Sequence, residues 1–216
     1  MMLYCGGICF ITDRGLSSLS VEEIVRMVLD AGVRWIQYRE KELSRREIYF
    51  QAERLRKITA EYRAAFTVND HADIALAVGA DGLHLGQDDL PLKEARMIMG
   101  RKTIGISTHD LRQAKAAEAG GADYIGYGPI YATTTKEKAE SPRGLKGLRE
   151  VSGAIEIPVV AIGGIKLENI RDVIGAGAGA VAVASGILCA DDINCKAGEF
   201  VKILEGIRNR TDWSVA

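Results

Sequence analysis

Apolar residues along this chain keep two periods that take turns from one end to the other. Short runs rich in valine, isoleucine and aromatic residues predict eight strands: Ile8 to Thr12, Trp35 to Arg39, Phe66 to Asn69, Gly82 to Leu85, Thr103 to Ser107, Tyr124 to Gly128, Val159 to Gly163 and Ala180 to Ala184. Between them the apolar positions fall at helical spacing. Val21, Ile24, Val25, Val28 and Leu29 share one face, as do Ile48, Ala52, Leu55, Ile58 and Tyr62. Leu167, Ile170, Val173 and Ile174 repeat the pattern, and Ala197, Phe200, Val201, Leu204 and Ile207 make a last helix.

A small motif recurs with the strands. Ala31-Gly32-Val33, Gly79-Ala80-Asp81-Gly82, Gly121-Ala122-Asp123-Tyr124 and Gly177-Ala178-Gly179-Ala180 each close a helix before an even-numbered strand, where glycine suits the left-handed helix end. Recurrence every second strand favours a closed barrel over an open doubly wound sheet, and no Gly-x-Gly-x-x-Gly follows the first strand. The expectation is an α/β single-domain (β/α)8 TIM barrel over residues 1–208, with a disordered tail at 209–216.

Composition narrows the partners. With 216 residues and 47% apolar content the chain can bury one full core. A net charge of −1 offers no global field for nucleic acid, so an anion must be held by clustered cations and small-molecule substrates are expected. No basic segment leads into a long apolar run and no stretch reaches the ~20 apolar residues of a membrane span, which predicts a cytoplasmic protein with no membrane partner. Cys5, Cys9, Cys189 and Cys195 form no Cys-x-x-Cys pair and read as incidental thiols. Self-association is left open.

In such a barrel the chemistry sits at the C-terminal ends of the strands. Strand two runs into Gln37-Tyr38-Arg39-Glu40-Lys41, an amide and two cations. Strand three ends in Asn69-Asp70 and strand four in Gly86-Gln87-Asp88-Asp89; one carboxylate from each suits magnesium, though aspartates there could also cap the helices that follow. Ser107 ends strand five and could likewise face the site or a helix start, while His84 within strand four reads as a core residue. After strand six, Gly128-Pro129-Ile130 through Thr133, Thr135 and Lys136 sets hydroxyls and an ammonium where a phosphate would lie. Gly163-Gly164 and Ala184-Ser185 end the last two strands, where backbone amides commonly bind phosphate and glycine admits either a ligand or tight packing.

These motifs, in order from about Phe10 to Leu188, closely resemble the thiamine phosphate synthase family. The resemblance implies a Mg²⁺-dependent transfer of a 4-amino-2-methylpyrimidin-5-ylmethyl group from its diphosphate to 4-methyl-5-(2-phosphoethyl)thiazole, by a dissociative route. It implies that Asp70 and Asp89 hold Mg²⁺, that Arg39, Lys41, Asn69 and Lys136 grip the diphosphate, and that Gln37 reads the pyrimidine. Ser107 would act at the reacting centre, with Arg39, Lys41 and Lys136 as its catalytic companions. Thr133, Thr135, Gly164, Ala184 and Ser185 would take the thiazole phosphate. Ala132, Gly179-Ala180 and Gly186 depart from the family pattern without removing a polar ligand. Two rivals stand beside this reading: the related thiazole tautomerase, which handles no diphosphate, and a non-catalytic phosphate-binding barrel.

Overall fold

A computed structural model of the chain describes residues 7–133 and 141–209. The strands are β1 (Ile8–Ile11), β2 (Trp35–Tyr38), β3 (Ala65–Asn69), β4 (Gly82–Leu85), β5 (Thr103–Thr108), β6 (Tyr124–Tyr127), β7 (Val159–Ile162) and β8 (Ala180–Val183). The helices α1 (Val21–Asp30), α2 (Arg45–Glu61), α3 (Ala72–Ala77), α4 (Leu92–Met99), α5 (Leu111–Ala119), α6 (Gly144–Ser152) and α7 (Ile170–Gly175) alternate with them, and α8 (Ser185–Leu188) and α9 (Ile193–Arg208) follow β8. Each strand pairs in parallel with the next, and β1 pairs with β8 through Cys9 and Ala182, so the barrel closes. This is the (β/α)8 barrel that the alternating periods predict. The short α8 and a 3₁₀ turn at Arg14–Leu16 carry no amphipathic pattern and escape the sequence reading.

Local chemistry starts the helices where they start. Ser20 and Ser44 each close a capping box with a glutamate three residues on, Glu23 and Glu47, and Asp110 and Asp192 cap α5 and α9. Caps of this kind contribute about 1 kcal/mol each. The recurring glycines turn as expected: Gly32, Gly79, Gly121 and Gly177 have φ of +101°, +69°, +85° and +98°. The α9 helix ends with the Asn209 N–H donating to the Glu205 carbonyl at 3.0 Å, and the remainder of the expected tail, 210–216, lies outside the described residues. Among the described residues no helix is long and apolar enough to cross a membrane.

Period two sorts the strand residues into two cores. Phe10, Ile36, Phe66, Leu83, Ile104 and Ile125 point outward and are fully buried under the helices. Cys9, Ile11, Trp35, Ala65, Tyr124, Val160, Ala180 and Ala182 fill the barrel itself. The lower barrel is plugged by rings: Trp35 meets Tyr124 edge to face with centroids 5.2 Å apart, and its Nε1–H donates to Thr67 Oγ1 at 2.9 Å. That plug closes the barrel below the C-terminal mouth. Of the described thiols, Cys9 is buried and Cys189 and Cys195 are exposed, all unpaired.

Candidate active site

Four side chains at the ends of β2 and β3 and in the loops that follow are wired into one chain. Gln37, buried in the barrel, donates from Nε2 to Asn69 Oδ1 at 2.8 Å, and Cys9 Sγ lies 3.7 Å from its Oε1, which orients the amide. Asn69 Nδ2 donates to Asp70 Oδ1 and Lys41 Nζ to Asp70 Oδ2, both at 2.5 Å. Lys41 returns over the mouth because the buried Glu40 carboxylate accepts the N–H groups of Lys41 and Glu42, each at 2.8 Å, and so bends the loop.

Asp70 sits at φ +65°, a left-handed conformation that costs a non-glycine residue roughly 1–2 kcal/mol. Its N–H is held by the His84 carbonyl at 2.8 Å. Neither Asp70 nor Asp89 caps a helix: α3 and α4 begin after His71 and Pro91 without a side-chain cap. Asp89 Oδ2 instead accepts the Gly86 N–H at 2.6 Å, and its carboxyl lies close enough to that of Asp70 for each to perturb the other's ionisation. The two groups titrate in opposite directions. Burial opposes ionisation of Asp70, but the neighbouring Asp89 and the bonds from Lys41 and Asn69 outweigh it and hold its pKa below the ordinary value. Burial and then the neighbouring Asp70 push Asp89 up, the behaviour of two carboxyls sharing one site.

Arg39 stands apart from this cluster. Its backbone is pinned to Thr12 Oγ1 and its Nη1 reaches Asp13 Oδ2 at 3.3 Å, on the β1 side of the mouth. Together with Asp13 and Arg14 it borders a polar cleft of about 400 Å³. Across the barrel, Ser107 Oγ lies 2.9 Å from His84 Nε2, and the Ser107 carbonyl accepts from Gln87 Nε2 at 2.6 Å. Asp110 caps α5, so Ser107 is left to the mouth. His71 and His109 take no place here; His109 Nδ1 pairs with the Gly128 carbonyl at 2.7 Å.

The β6 to β8 side is made of backbone. Ile130 and Tyr131 donate their N–H groups to the carbonyls of Ile162 and Gly163 at 2.9 and 3.0 Å, which lays the loop after β6 onto the end of β7. Gly163 and Gly164, at φ +98° and +62°, are required by this contact: a Cβ would lie 2.5 Å from Pro129 Cβ and 2.7 Å from the Ala132 carbonyl oxygen respectively. Tight packing is therefore why glycine stands there, and its result is that Tyr131 and Ala132 come beside Gly164. Among the described residues the N–H groups of Gly164 and Gly186 take part in no hydrogen bond. Thr135 and Lys136 lie outside the described residues.

Sequence reasoning gave no role to Asp13 or Tyr124, or to Glu40 and Gln87 within the motifs it quoted. Tyr124 stands opposite Gly105 of β5, a register that the closed barrel alone sets.

The family model described as thiamine monophosphate synthase matches residues 8–187. The chain is 46% identical over 188 residues to a thiamine-phosphate synthase of Chloroflexus aurantiacus, covering 87% of each. It is 47% identical over 197 residues to one of Halalkalibacterium halodurans, covering 91% of each. A solved thiamine phosphate pyrophosphorylase from Pyrococcus furiosus superposes with a TM-score of 0.88 at 40% identity, over 95% of this chain and 98% of that one. With the barrel and the ordered strand-end motifs all in agreement, the chain belongs to the thiamine monophosphate synthase family.

Proposed function

We propose that this chain is a thiamine phosphate synthase, joining a pyrimidinylmethyl diphosphate to a thiazole phosphate with release of diphosphate. The observation that carries the reading is the Asp70 carboxylate, bonded by Lys41 and Asn69, with the Asp89 carboxyl from the next strand end beside it. A tautomerase or a phosphate sensor has no use for it. Among the described residues no cluster of three or more histidine, cysteine or acidic ligands exists, and the pair offers only oxygen donors. That set fits Mg²⁺, which takes one or two carboxylates and completes its shell with phosphate oxygens and water. When bound, Mg²⁺ would neutralise charge on the diphosphate.

The chain's own residues would do the rest. Lys41 and Asn69 already lie against Asp70, where they can turn to diphosphate oxygens, with Arg39 and Lys136 assigned to the same group. Gln37 reads the pyrimidine from the floor of the mouth. The bond between the methylene carbon and the diphosphate oxygen breaks with its electron pair leaving on oxygen. The thiazole nitrogen then donates its lone pair to that carbon, held in line by its phosphate on Thr133, Thr135, Gly164, Ala184 and Ser185. No protein nucleophile is needed, so the site's task is to hold anions and exclude water.

The test is diphosphate release by the purified chain with both substrates, repeated without Mg²⁺ and with each substrate omitted. Release that needs both substrates and the metal is expected. Binding of the thiazole phosphate with no release would overturn the proposal in favour of the tautomerase or the sensor.

A further inference from the structure

Below the mouth, three polar side chains from successive strands form a line. His84, Gly105 and Tyr124 lie in one register row across β4, β5 and β6. The central glycine makes room for the tyrosine ring, since a Cβ at Gly105 would sit 2.0 Å from Tyr124 Cζ. Gly126 does the same for the imidazole, with His84 Cε1 3.1 Å from where its Cβ would be. Tyr124 Oη is 2.9 Å from His84 Nδ1, and His84 Nε2 is 2.9 Å from Ser107 Oγ.

We infer that Tyr124 and His84 are positioning residues that fix the direction of the Ser107 hydroxyl, leaving it a hydrogen-bond donor toward the substrate. The argument is one of proton count. Tyr124 is buried, and among the described residues its hydroxyl has a single hydrogen-bond partner, His84 Nδ1. Burial keeps the phenol protonated, raising its pKa well above the ordinary value. A buried O–H without an acceptor is costly, so Tyr124 donates and Nδ1 accepts. The imidazole is then neutral with its proton on Nε2 and donates to Ser107 Oγ. With its oxygen accepting from below, Ser107 has its own proton free for the mouth, where it can meet the oxygen of the departing diphosphate. The opposite polarity would leave the Tyr124 proton unpaired and turn the serine proton downward.

The kinetic consequence rests on the proposed transfer; the tautomer does not, because it belongs to the folded barrel. Protein labelled with ¹⁵N-histidine, with His84→Gln used to identify the His84 signals by their loss, should show an unprotonated Nδ1 and a protonated Nε2. In the transfer assay Tyr124→Phe should lower kcat about tenfold with KM nearly unchanged, the worth of one misdirected hydrogen bond. In a Ser107→Ala background the same change should cost almost nothing, because the hydroxyl it directs is gone. A proton on Nδ1, an imidazolium, or fully additive losses in the double variant would overturn the inference. Were the wild-type protein to show no transfer at all, the proposed activity would fall and the ring's tautomer would still decide this assignment.

Discussion

The two sides of the barrel mouth are built from different materials. From β2 to β4 the rim is polar side chains held by one another, Lys41 and Asn69 both on Asp70, with the Asp89 carboxyl beside them. From β6 to β8 it is backbone, a loop laid on a strand end by two amide–carbonyl bonds and kept close by glycines that no Cβ could replace. A side chain can be removed with little harm to the fold, whereas a backbone contact cannot be altered without moving the loop. Function and stability should therefore separate on the first side and stay joined on the second.

The sharpest break is at the carboxylates. Asp70→Ala and Asp89→Ala should each lower Mg²⁺-dependent diphosphate release by roughly a thousandfold, while thermal melting shows a folded barrel. Near-normal turnover in both would remove the metal assignment. On the other side, Gly163→Ala and Gly164→Ala should each cost about 2–4 kcal/mol in denaturant unfolding, from positive φ and from the contacts with Pro129 and Tyr131. The same variants should weaken thiazole phosphate binding, and an unchanged affinity would detach that loop from the ligand.

Smaller effects sharpen the contrast. Ser107→Ala should lower kcat about 10–100-fold with KM changed less than about threefold, since the hydroxyl acts on the breaking bond. A pure KM defect would place it elsewhere. Asp70→Gly should lose activity yet stabilise the chain by up to about 1 kcal/mol, because glycine relieves the left-handed strain at φ +65°. A destabilised Asp70→Gly would mean that the ion pair with Lys41 outweighs the strain.

Legibility in the sequence followed the range of the interaction. Strand and helix positions were readable because period two and period 3.6 are local, and the strands end within a residue or so of the expected places. The helix-closing glycines were readable for the same reason. The aspartates were ambiguous between capping and metal holding, since both uses need a short acidic side chain near a strand end. The hydrogen bonds removed the capping reading, with Asp89 turned back to Gly86 in its own loop and Asp70 held by Lys41 from the loop after β2. Gly163 and Gly164 were ambiguous between ligand approach and packing, and the loop from β6 decided that.

The sequence by itself determined the alternation of elements, the closed barrel and the family, because periodicity and ordered motifs need no partner to be read. The tertiary structure alone decided that Arg39 leans toward Asp13 while Lys41 leans toward Asp70. It also placed Tyr124 beneath His84 and His84 beneath Ser107. These choices depend on the register between strands far apart in the chain, and register is set when the barrel closes.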